Sequence, residues 1–318
     1  MPQFDSMLPF VKAGGTYGAT PTFAASDALI CSAVAITPLE GDIVEFTQVD
    51  GESGRVASPV MAKKRSSLTL TFHLAGSGTA GTRPRWAPVA EACGGTWADV
   101  LASSNTLSEA SLNGSLGFAD FRVLMAGRNY RCHGARGNMV LTLTSGELPT
   151  AQATLQGLFT SPVTQALVSP TYSNQARARI VDSTNTPTVQ IGPNGAPIAR
   201  CISTFSLDFG CTVTYFNQGG CTSPEVRITA RQPTATITYE ETTLEEFNVF
   251  DFAADQSPPI HEFTIVHGPV GARQTITIPK LTYGQPSHES VEGVLYTTVE
   301  LYLQRAPGST GFFTWKQD

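Results

Sequence analysis

The sequence is poor in charged residues. Only 14% of its 318 residues are Asp, Glu, Lys or Arg, whereas soluble domains usually carry about a quarter. So little charge suggests that partners cover much of the surface. Acidic residues outnumber basic ones, and the formal net charge is −6. A general nucleic-acid binder needs a basic stripe to neutralise phosphates, so this class is disfavoured.

Long apolar runs are also missing. No stretch of about 18 apolar residues occurs, so no membrane-spanning helix is predicted. The N-terminal region contains Asp5 and Lys12 without an apolar run of signal-peptide length, which argues against export. Six cysteines in a chain of this size are too few for a disulfide scaffold. We therefore expect buried free thiols, although the sequence leaves open whether any pair.

Glycine, proline and threonine are abundant instead, with 29 Gly and 21 Pro. This mixture favours a mainly β chain with many turns. Apolar residues alternate with threonines in two segments, Leu68–Phe72 and Phe205–Tyr215, as in half-buried strands. Cys211 falls on the apolar face of the second segment, and we expect Cys201 on that face too. Closing hairpins are predicted at 139–159 and 274–303.

Two short helices are predicted among the strands. The first covers 85–92 and places Trp86, Val89, Ala90 and Cys93 on one face, with Gly94 as a stop. The second covers 243–251, where Thr242 or Thr243 followed by two glutamates suits a capped start.

A strand-then-helix unit occurs twice. Thr69-Leu70-Thr71-Phe72 and Thr236-Ile237-Thr238-Tyr239 each precede one helix and, further along, a closing hairpin. We therefore predict two tandem β-sandwich or half-barrel domains, each with one flanking α-helix. The predicted parts are an N-terminal arm (1–30), a first domain (31–162) with a long loop or protruding hairpin at 47–62, a connecting segment (163–197), a second domain (198–306) and a C-terminal tail (307–318).

Three sequence patterns bear on catalysis or on cofactor and metal binding, and each has a simpler structural explanation. Gly76–Gly81 matches G-x-G-x-x-G, but three residues separate it from the helix, so a flexible loop is favoured over a dinucleotide site. Cys201, Cys211 and Cys221 are spaced too widely for a usual zinc site. The paired glutamates at 240–241 and 245–246 suit a helix start as well as glycosidic chemistry. We predict no enzyme, cofactor or metal.

Several segments together carry a family resemblance. They are the glycine-rich arm Gly14–Pro21, the segment Ile36–Asp42, the long loop before Leu68–Phe72, the helix ending Glu91–Gly95, and the terminal threonine-rich hairpin. In this layout, over most of its length, the chain resembles the major tail proteins (tail tube proteins) of long-tailed, non-contractile bacteriophages.

The resemblance implies a structural virion protein whose subunits form stacked rings, making a tail tube through which DNA is ejected into the host. With two such domains in one chain, it implies a homotrimeric, pseudo-hexameric ring, with a hexameric ring as the alternative. Tape-measure and tail-terminator proteins would be further partners, and DNA only a transient, non-specific cargo. The protein would be assembled in the bacterial cytoplasm and reside in the virion tail, with no membrane partner.

The resemblance also suggests which residues make contacts between rings or subunits. Candidates lie on the arm, the 47–62 loop and the aromatic C-terminal tail: Tyr17, Asp50, Glu52, Arg55, Phe312, Phe313 and Trp315. The alternative for the tail is that it folds back on its own domain. The runner-up function is a β-sandwich binding module, such as a phage adhesin or baseplate component, and a hydrolase comes third.

Overall fold

A computed structural model describes residues 7–49, 55–114, 116–220, 223–255, 260–291, 293–305 and 311–318, with the side chains at 46–49, 55–58 and 291 left aside. These residues form a mainly β molecule in which seventeen strands join one antiparallel sheet and two form a separate hairpin. The predicted β class is confirmed.

The elements up to residue 164 make up the first half of the molecule. They are β1 (Leu8–Ala13), β2 (Ala33–Val49), β3 (Arg55–His73), α1 (Ala87–Ala92), β4 (Gly95–Val100), β5 (Ser104–Glu109), β6 (Ala119–Met125), β7 (Arg128–Thr144) and β8 (Thr150–Thr164), with a 3-10 turn at Ala25–Asp27.

The second half follows residues 165–187 and therefore begins within the predicted connecting segment (163–197). It contains β9 (Thr188–Pro193), β10 (Ile198–Ala199), β11 (Ile202–Asp208), β12 (Cys211–Phe216), β13 (Glu225–Arg231), β14 (Thr234–Glu240), α2 (Val249–Ala254), β15 (His261–His267), β16 (Gln274–Tyr283), β17 (Ser287–Val291), β18 (Val294–Leu303) and β19 (Thr314–Gln317).

The same pairing order runs through both halves. In the first half the strands pair in the order β2-β3-β8-β7-β6-β1. In the second half the order is β11-β14-β18-β16-β15-β9. Along the chain, a single α-helix occurs after the second strand of each order and before the fifth: α1 between β3 and β6, and α2 between β14 and β15. The predicted succession of paired strands, helix, strand and closing hairpin is therefore present twice.

Strand pairing joins the two halves at two places. The end of β7 pairs with β11 from Thr144 opposite Thr204 to Val140 opposite Asp208. On the other side of the core, β19 pairs with both β16 and β5. One hydrophobic cluster contains residues of both halves. The domain boundaries given above stay a prediction.

Alternation of side chains builds this core. Leu68, Leu70 and Phe72 of β3 are at most 1% exposed, and the threonines between them are half-exposed. Phe205 of β11 stacks on Phe263 of β15 at a centroid distance of 4.7 Å. Burial of each large apolar side chain contributes about 1.5–3 kcal/mol, so the strand register is fixed by the apolar face.

The first predicted helix is confirmed with its buried face. α1 carries proline in its first turn, and Trp86, Val89, Ala90 and Cys93 are all at most 3% exposed. Gly94 follows with a φ of +79° and ends the helix.

The predicted start of the second helix is wrong. Residues 243–247 form a turn, and α2 begins only after Asn248, whose side chain accepts hydrogen bonds from the backbone N–H groups of Phe250 and Asp251. Asn248 is therefore the N-cap, and the threonines at 242–243 are not. Phe247, which is 2% exposed, packs edge-on against Tyr239 and fixes the preceding turn.

The N-terminal arm (1–30), predicted as a part separate from the first domain, begins with a strand that packs on the first half of the chain. β1 pairs with β6, and Phe10 and Val11 are fully buried. The guanidinium of Arg122 lies 4.0 Å from the centre of the Phe10 ring. The many glycines that follow hid this short apolar strand in the sequence.

The predicted continuous strand from Phe205 to Tyr215 is broken at Gly210. This glycine has a φ of +61°, and a Cβ atom there would lie 1.9 Å from the carbonyl oxygen of Gln232. The chain therefore bends into the separate β12–β13 hairpin. Cys201 and Cys211 do not share a strand face, since Cys201 is exposed before β11 and Cys211 is buried at the start of β12.

Candidate assembly surfaces

The joined sheet has a polar outer surface, here called the polar face. It consists of outward positions on six neighbouring strands, which lie opposite one another across the sheet. All are half-exposed or exposed: Thr69, Thr71, Thr150, Gln152, Thr154, Asn138, Val140, Thr142, Thr144, Thr204, Ser206, Asp208, Thr234, Thr236, Thr238, Thr298, Glu300 and Tyr302.

Hydrogen bonds tie this face together across strands. The hydroxyl groups of Thr238 and Thr298 lie 2.8 Å apart. Asn138 donates from Nδ2 to Oδ1 of Asp208 at 2.7 Å, across the junction between the two halves. Within β18, the Tyr302 hydroxyl donates to Glu300 at 2.9 Å, and this bond raises the pKa of Tyr302. The face is a continuous hydroxyl and amide surface.

The charge on the polar face has one sign. Asp208 and Glu300 are its charged members, and no lysine or arginine stands at any of the positions named above. Glu240 and Glu289 extend the acidic character at the margins, where both are exposed. Such a surface repels phosphate groups rather than binding them.

The β12–β13 hairpin lies across the first half of the chain. The hydroxyl of Tyr215 donates to the backbone carbonyl of Lys64 at 2.8 Å. Arg231 donates to the carbonyl oxygens of Ala110 and Gly94, both at 2.9 Å, next to the end of α1. The hairpin is thus attached to the first half near the sheet and near the helix.

Arg136 on β7 is the buried centre of this contact. Its side chain is 9% exposed and lies 3.1 Å from Glu225. It also donates to the carbonyl oxygens of Val226, Leu116 and Gly117. A guanidinium with so many acceptors is well solvated by the protein, which is what permits its burial.

Tyr17, the first predicted contact residue, takes part in the same region. Its hydroxyl accepts a hydrogen bond from the backbone N–H of Val226 at 2.7 Å, and its ring packs edge-on against Phe118 at 5.0 Å. Burial raises the pKa of the Tyr17 hydroxyl. The structure therefore shows Tyr17 joining the two halves of its own chain.

The C-terminal aromatic residues, predicted as contacts between rings or subunits, pack within their own chain. Trp315 is fully buried and Phe313 is 1% exposed, because β19 is paired on both sides. Trp315 stacks on Trp86 at 4.7 Å, and Phe313 packs on Phe209 at 5.0 Å. Phe312 is half-buried beneath Arg305. The alternative, a tail folded back on its own chain, describes these residues.

The remaining predicted contacts are Asp50, Glu52 and Arg55. Asp50 and Glu52 fall outside the described residues, and Arg55 begins β3 without a described side chain. The 47–62 region is a hairpin and not a loop, because β2 continues to Val49 and β3 starts at Arg55. The hairpin alternative is thus confirmed.

The β2–β3 hairpin exposes apolar side chains on both of its faces. Ile43, Val44 and Val60 are 67%, 54% and 60% exposed. Val44 and Val60 are paired, and Ile43 is on the opposite face because neighbouring side chains of a strand alternate. Apolar residues grouped at such a site mark an interaction surface more often than a free one.

Two of the edges that lack a partner strand among the described residues belong to β2 and β17, beside the strands that carry the polar face. β2 pairs with β3, and from Ala33 to Thr37 its other edge has no strand beside it. β17 pairs with β18, and its other edge is likewise open from Ser287 to Val291. Open edges present unpaired N–H and C=O groups to any second strand.

Outside these surfaces, the described part of the chain contains a cavity lined in part by residues of the segment 175–185 and several buried thiols. No three His, Cys, Asp or Glu residues there are grouped to hold a metal ion. A cavity of about 720 Å³ lies under the connecting segment, between Trp86 and Arg177, and Asp182 is the sole carboxylate among its described lining residues. Burial raises the pKa of the Cys132 thiol to about 12, which keeps it unreactive.

The loop at 76–81 is packed at Gly76, whereas Gly78 and Thr79 are exposed. A Cβ atom on Gly76 would lie 2.8 Å from Cα of Ala272, in the second half of the chain. α1 begins at Ala87, well after the loop, so its N-terminus is not part of the glycine motif.

No protein-family model matches this chain, and the search of curated proteins found no match either. Within the described ranges, none of the helices has the length and apolar character needed to cross a membrane.

Proposed function

We propose that this protein is a structural subunit that polymerises into stacked rings and forms a tube, as in the tail tube of long-tailed, non-contractile bacteriophages. The observation that carries the proposal is the edge-to-edge junction of two halves with the same strand order. A unit that continues its sheet into a second copy of itself within one chain has the geometry needed to continue into further chains.

The proposed architecture is two tandem tail-tube-like β-sandwich domains, each with one flanking α-helix. The matching strand orders of the two halves support it, and each half has one helix at the same place along the chain. The packing of β12–β13 on the first half supports a fixed relation between the two domains within the chain.

A ring of three chains follows from this architecture. Each chain offers an ordered row of eight strands, β2-β3-β8-β7-β11-β14-β18-β17. Three such rows would close into a barrel roughly 45 Å in diameter, given the usual strand spacing and tilt. Closure of the ring would also cover the open edges of β2 and β17. The alternative hexameric ring would need twice this circumference.

The polar face is the proposed lining of the tube. Its hydroxyl and amide groups keep water at the wall, and its acidic residues repel a passing nucleic acid, so DNA would move through without being held. The exposed apolar residues of the β2–β3 hairpin are the proposed contacts to further subunits or to the next ring.

Electron microscopy of the concentrated protein tests the proposal. The expected result is rings or tubes roughly 80–100 Å across with a central channel, allowing for a second layer outside the barrel. Analytical ultracentrifugation of the same sample should show a species of three chains or its multiples. A protein that stays monomeric at every concentration would overturn the proposal and favour the binding-module alternative.

A further inference from the structure

The internal junction between the halves provides a pattern for a contact between chains. Within the chain, the last part of β7 lies beside β11. The corresponding strands at the two ends of the row are β17 and β2, and both have an open edge among the described residues. The inference below rests on the proposed function and specifies its partner strands.

The correspondence between the halves can be set residue by residue. Leu70 is paired with Val34 on β2 and Ala153 on β8. Ile237, its counterpart in the repeated tetrapeptide, is paired with Phe205 on β11 and Val299 on β18. Val34 therefore corresponds to Phe205.

The other side of the junction follows in the same way. On β7, Leu141 is opposite Ala151 of β8. On β17, His288 is opposite Thr297 of β18. Because Ala153 corresponds to Val299, Ala151 corresponds to Thr297, and Leu141 therefore corresponds to His288. β17 thus occupies the place of the segment of β7 that pairs with β11.

Transfer of the internal register gives a specific pairing. Within the chain, Leu207 is opposite Leu141, and Phe205 is opposite Leu143. The corresponding pairs are Ile36 opposite His288 and Val34 opposite Ser290. We infer that β17 of one copy pairs antiparallel with β2 of a second copy, from Thr37 opposite Ser287 to Ala33 opposite Val291.

The side chains at these edges are compatible with that contact. The β2 edge reads Ala-Val-Ala-Ile-Thr, without charge or proline, and so lacks the usual protection against strand addition. Val34 and Ile36 point to the core and are half-buried, whereas Ala35 is exposed. In the inferred register Ala35 is opposite Glu289, on the side of the polar face. A small residue there leaves room for the glutamate.

A paired-cysteine experiment tests the register. The variant carries Ala35→Cys and Glu289→Cys in a background with Cys31→Ser, Cys201→Ser and Cys221→Ser. Opposed residues of antiparallel strands have Cα atoms about 4.5–5.5 Å apart, within reach of a disulfide. Mild oxidation should produce covalent dimers and closed trimers on non-reducing gels, with at least a tenfold excess over the control.

The control is Ala33→Cys with Ser287→Cys in the same background. Both positions are exposed and lie on the same face as the test pair. In the inferred register they are four residues out of step, roughly 13 Å apart, which is too far for a disulfide. Reduced samples of both variants should unfold at the denaturant concentration of the background protein, which shows that folding is unaffected.

The outcomes separate this inference from the proposed function. Rings seen by microscopy with no cross-link in the test pair, or with equal cross-linking of the control, overturn the register and leave the ring intact. A cross-link in the test pair without rings or tubes supports the strand pairing and overturns the proposed function. Monomers without any cross-link overturn both.

Discussion

The corresponding hairpins of the two halves have different surroundings. In the second half, the strands β11 and β14 extend into β12–β13, which bends at Gly210 and is attached to the first half through Arg136 and Arg231. In the first half, β2 and β3 extend beyond the sheet and leave Ile43 and Val60 exposed.

The difference follows from what lies next to each hairpin. The second hairpin has the first half beside it in the same chain, and its polar groups are satisfied there. The first hairpin meets the second only near Lys64 among the described residues, and its ion pairs, Lys63 with Asp42 and Arg65 with Glu40, are partly exposed. The packed β12–β13 hairpin therefore indicates what kind of partner the β2–β3 hairpin lacks.

Trp315→Ala should have the largest effect, because it disrupts the strand that joins both halves. The side chain is fully buried against Trp86, and loss of a buried tryptophan costs about 3–5 kcal/mol. Urea unfolding followed by circular dichroism measures the loss. Lys316→Ala, at the exposed neighbouring position, should change the free energy of unfolding by less than about 0.5 kcal/mol. Equal effects of the two would contradict the packing described for β19.

Arg136→Met should release the β12–β13 hairpin and make it resemble the projecting one. The loss of charged hydrogen bonds to three carbonyl oxygens, of which that of Val226 is buried, should cost about 2 kcal/mol. Limited proteolysis should show faster cleavage within 211–231. Arg227→Met is the matched control, since Arg227 is largely exposed although it also pairs with Glu225. If cleavage is unchanged in Arg136→Met, another contact holds the hairpin.

A smaller effect is expected on the pH dependence of the free energy of unfolding, and it arises from the second half of the chain. Burial lowers the pKa of His261 and of His267, both on β15, whereas the corresponding β6 contains no histidine. The unfolded chain therefore binds protons at a higher pH than the folded one. The stability is fully present above about pH 6.5 and is lost as the pH falls from there, by at most about 1.4 kcal/mol per pH unit for each histidine.

Unfolding in urea between pH 7.5 and 5.5 measures this slope. Replacing both residues by glutamine should flatten it whatever the effect on absolute stability. The unchanged protein, unfolded in the same buffers, supplies the reference slope. A slope that persists in the double variant would assign the pH dependence to other groups.

Periodic segments were predictable from the sequence, and irregular ones were not. The alternation at Leu68–Phe72 and the helical face of Trp86, Val89 and Ala90 identified buried positions because local spacing decides which side chains share a face. Gly210 interrupted an equally regular pattern, since its effect depends on the distant Gln232. No local signal shows that a strand partner will approach from elsewhere in the chain.

The assembly surfaces illustrate the same limit. The threonine-rich strands indicated a polar surface, but its single sign of charge emerged only once the strands were placed side by side. The burial of Trp315 could not be predicted, because an aromatic tail is compatible with either an exposed or a buried position. Its burial depends on the edges of β5 and β16, which sequence spacing does not reveal.

The strand β19 has a consequence for the order of folding. The contact from Phe312 to Glu109 spans 203 residues, and the pairing of β19 with β5 spans a similar distance. Contacts of such long range form slowly, because the loop between them must close first. Until β19 arrives, one edge of β5 is uncovered and the Trp86 pocket is incomplete. A partly synthesised or partly folded chain is therefore the form most exposed to aggregation, and a chaperone that shields this edge would raise the yield of the folded protein.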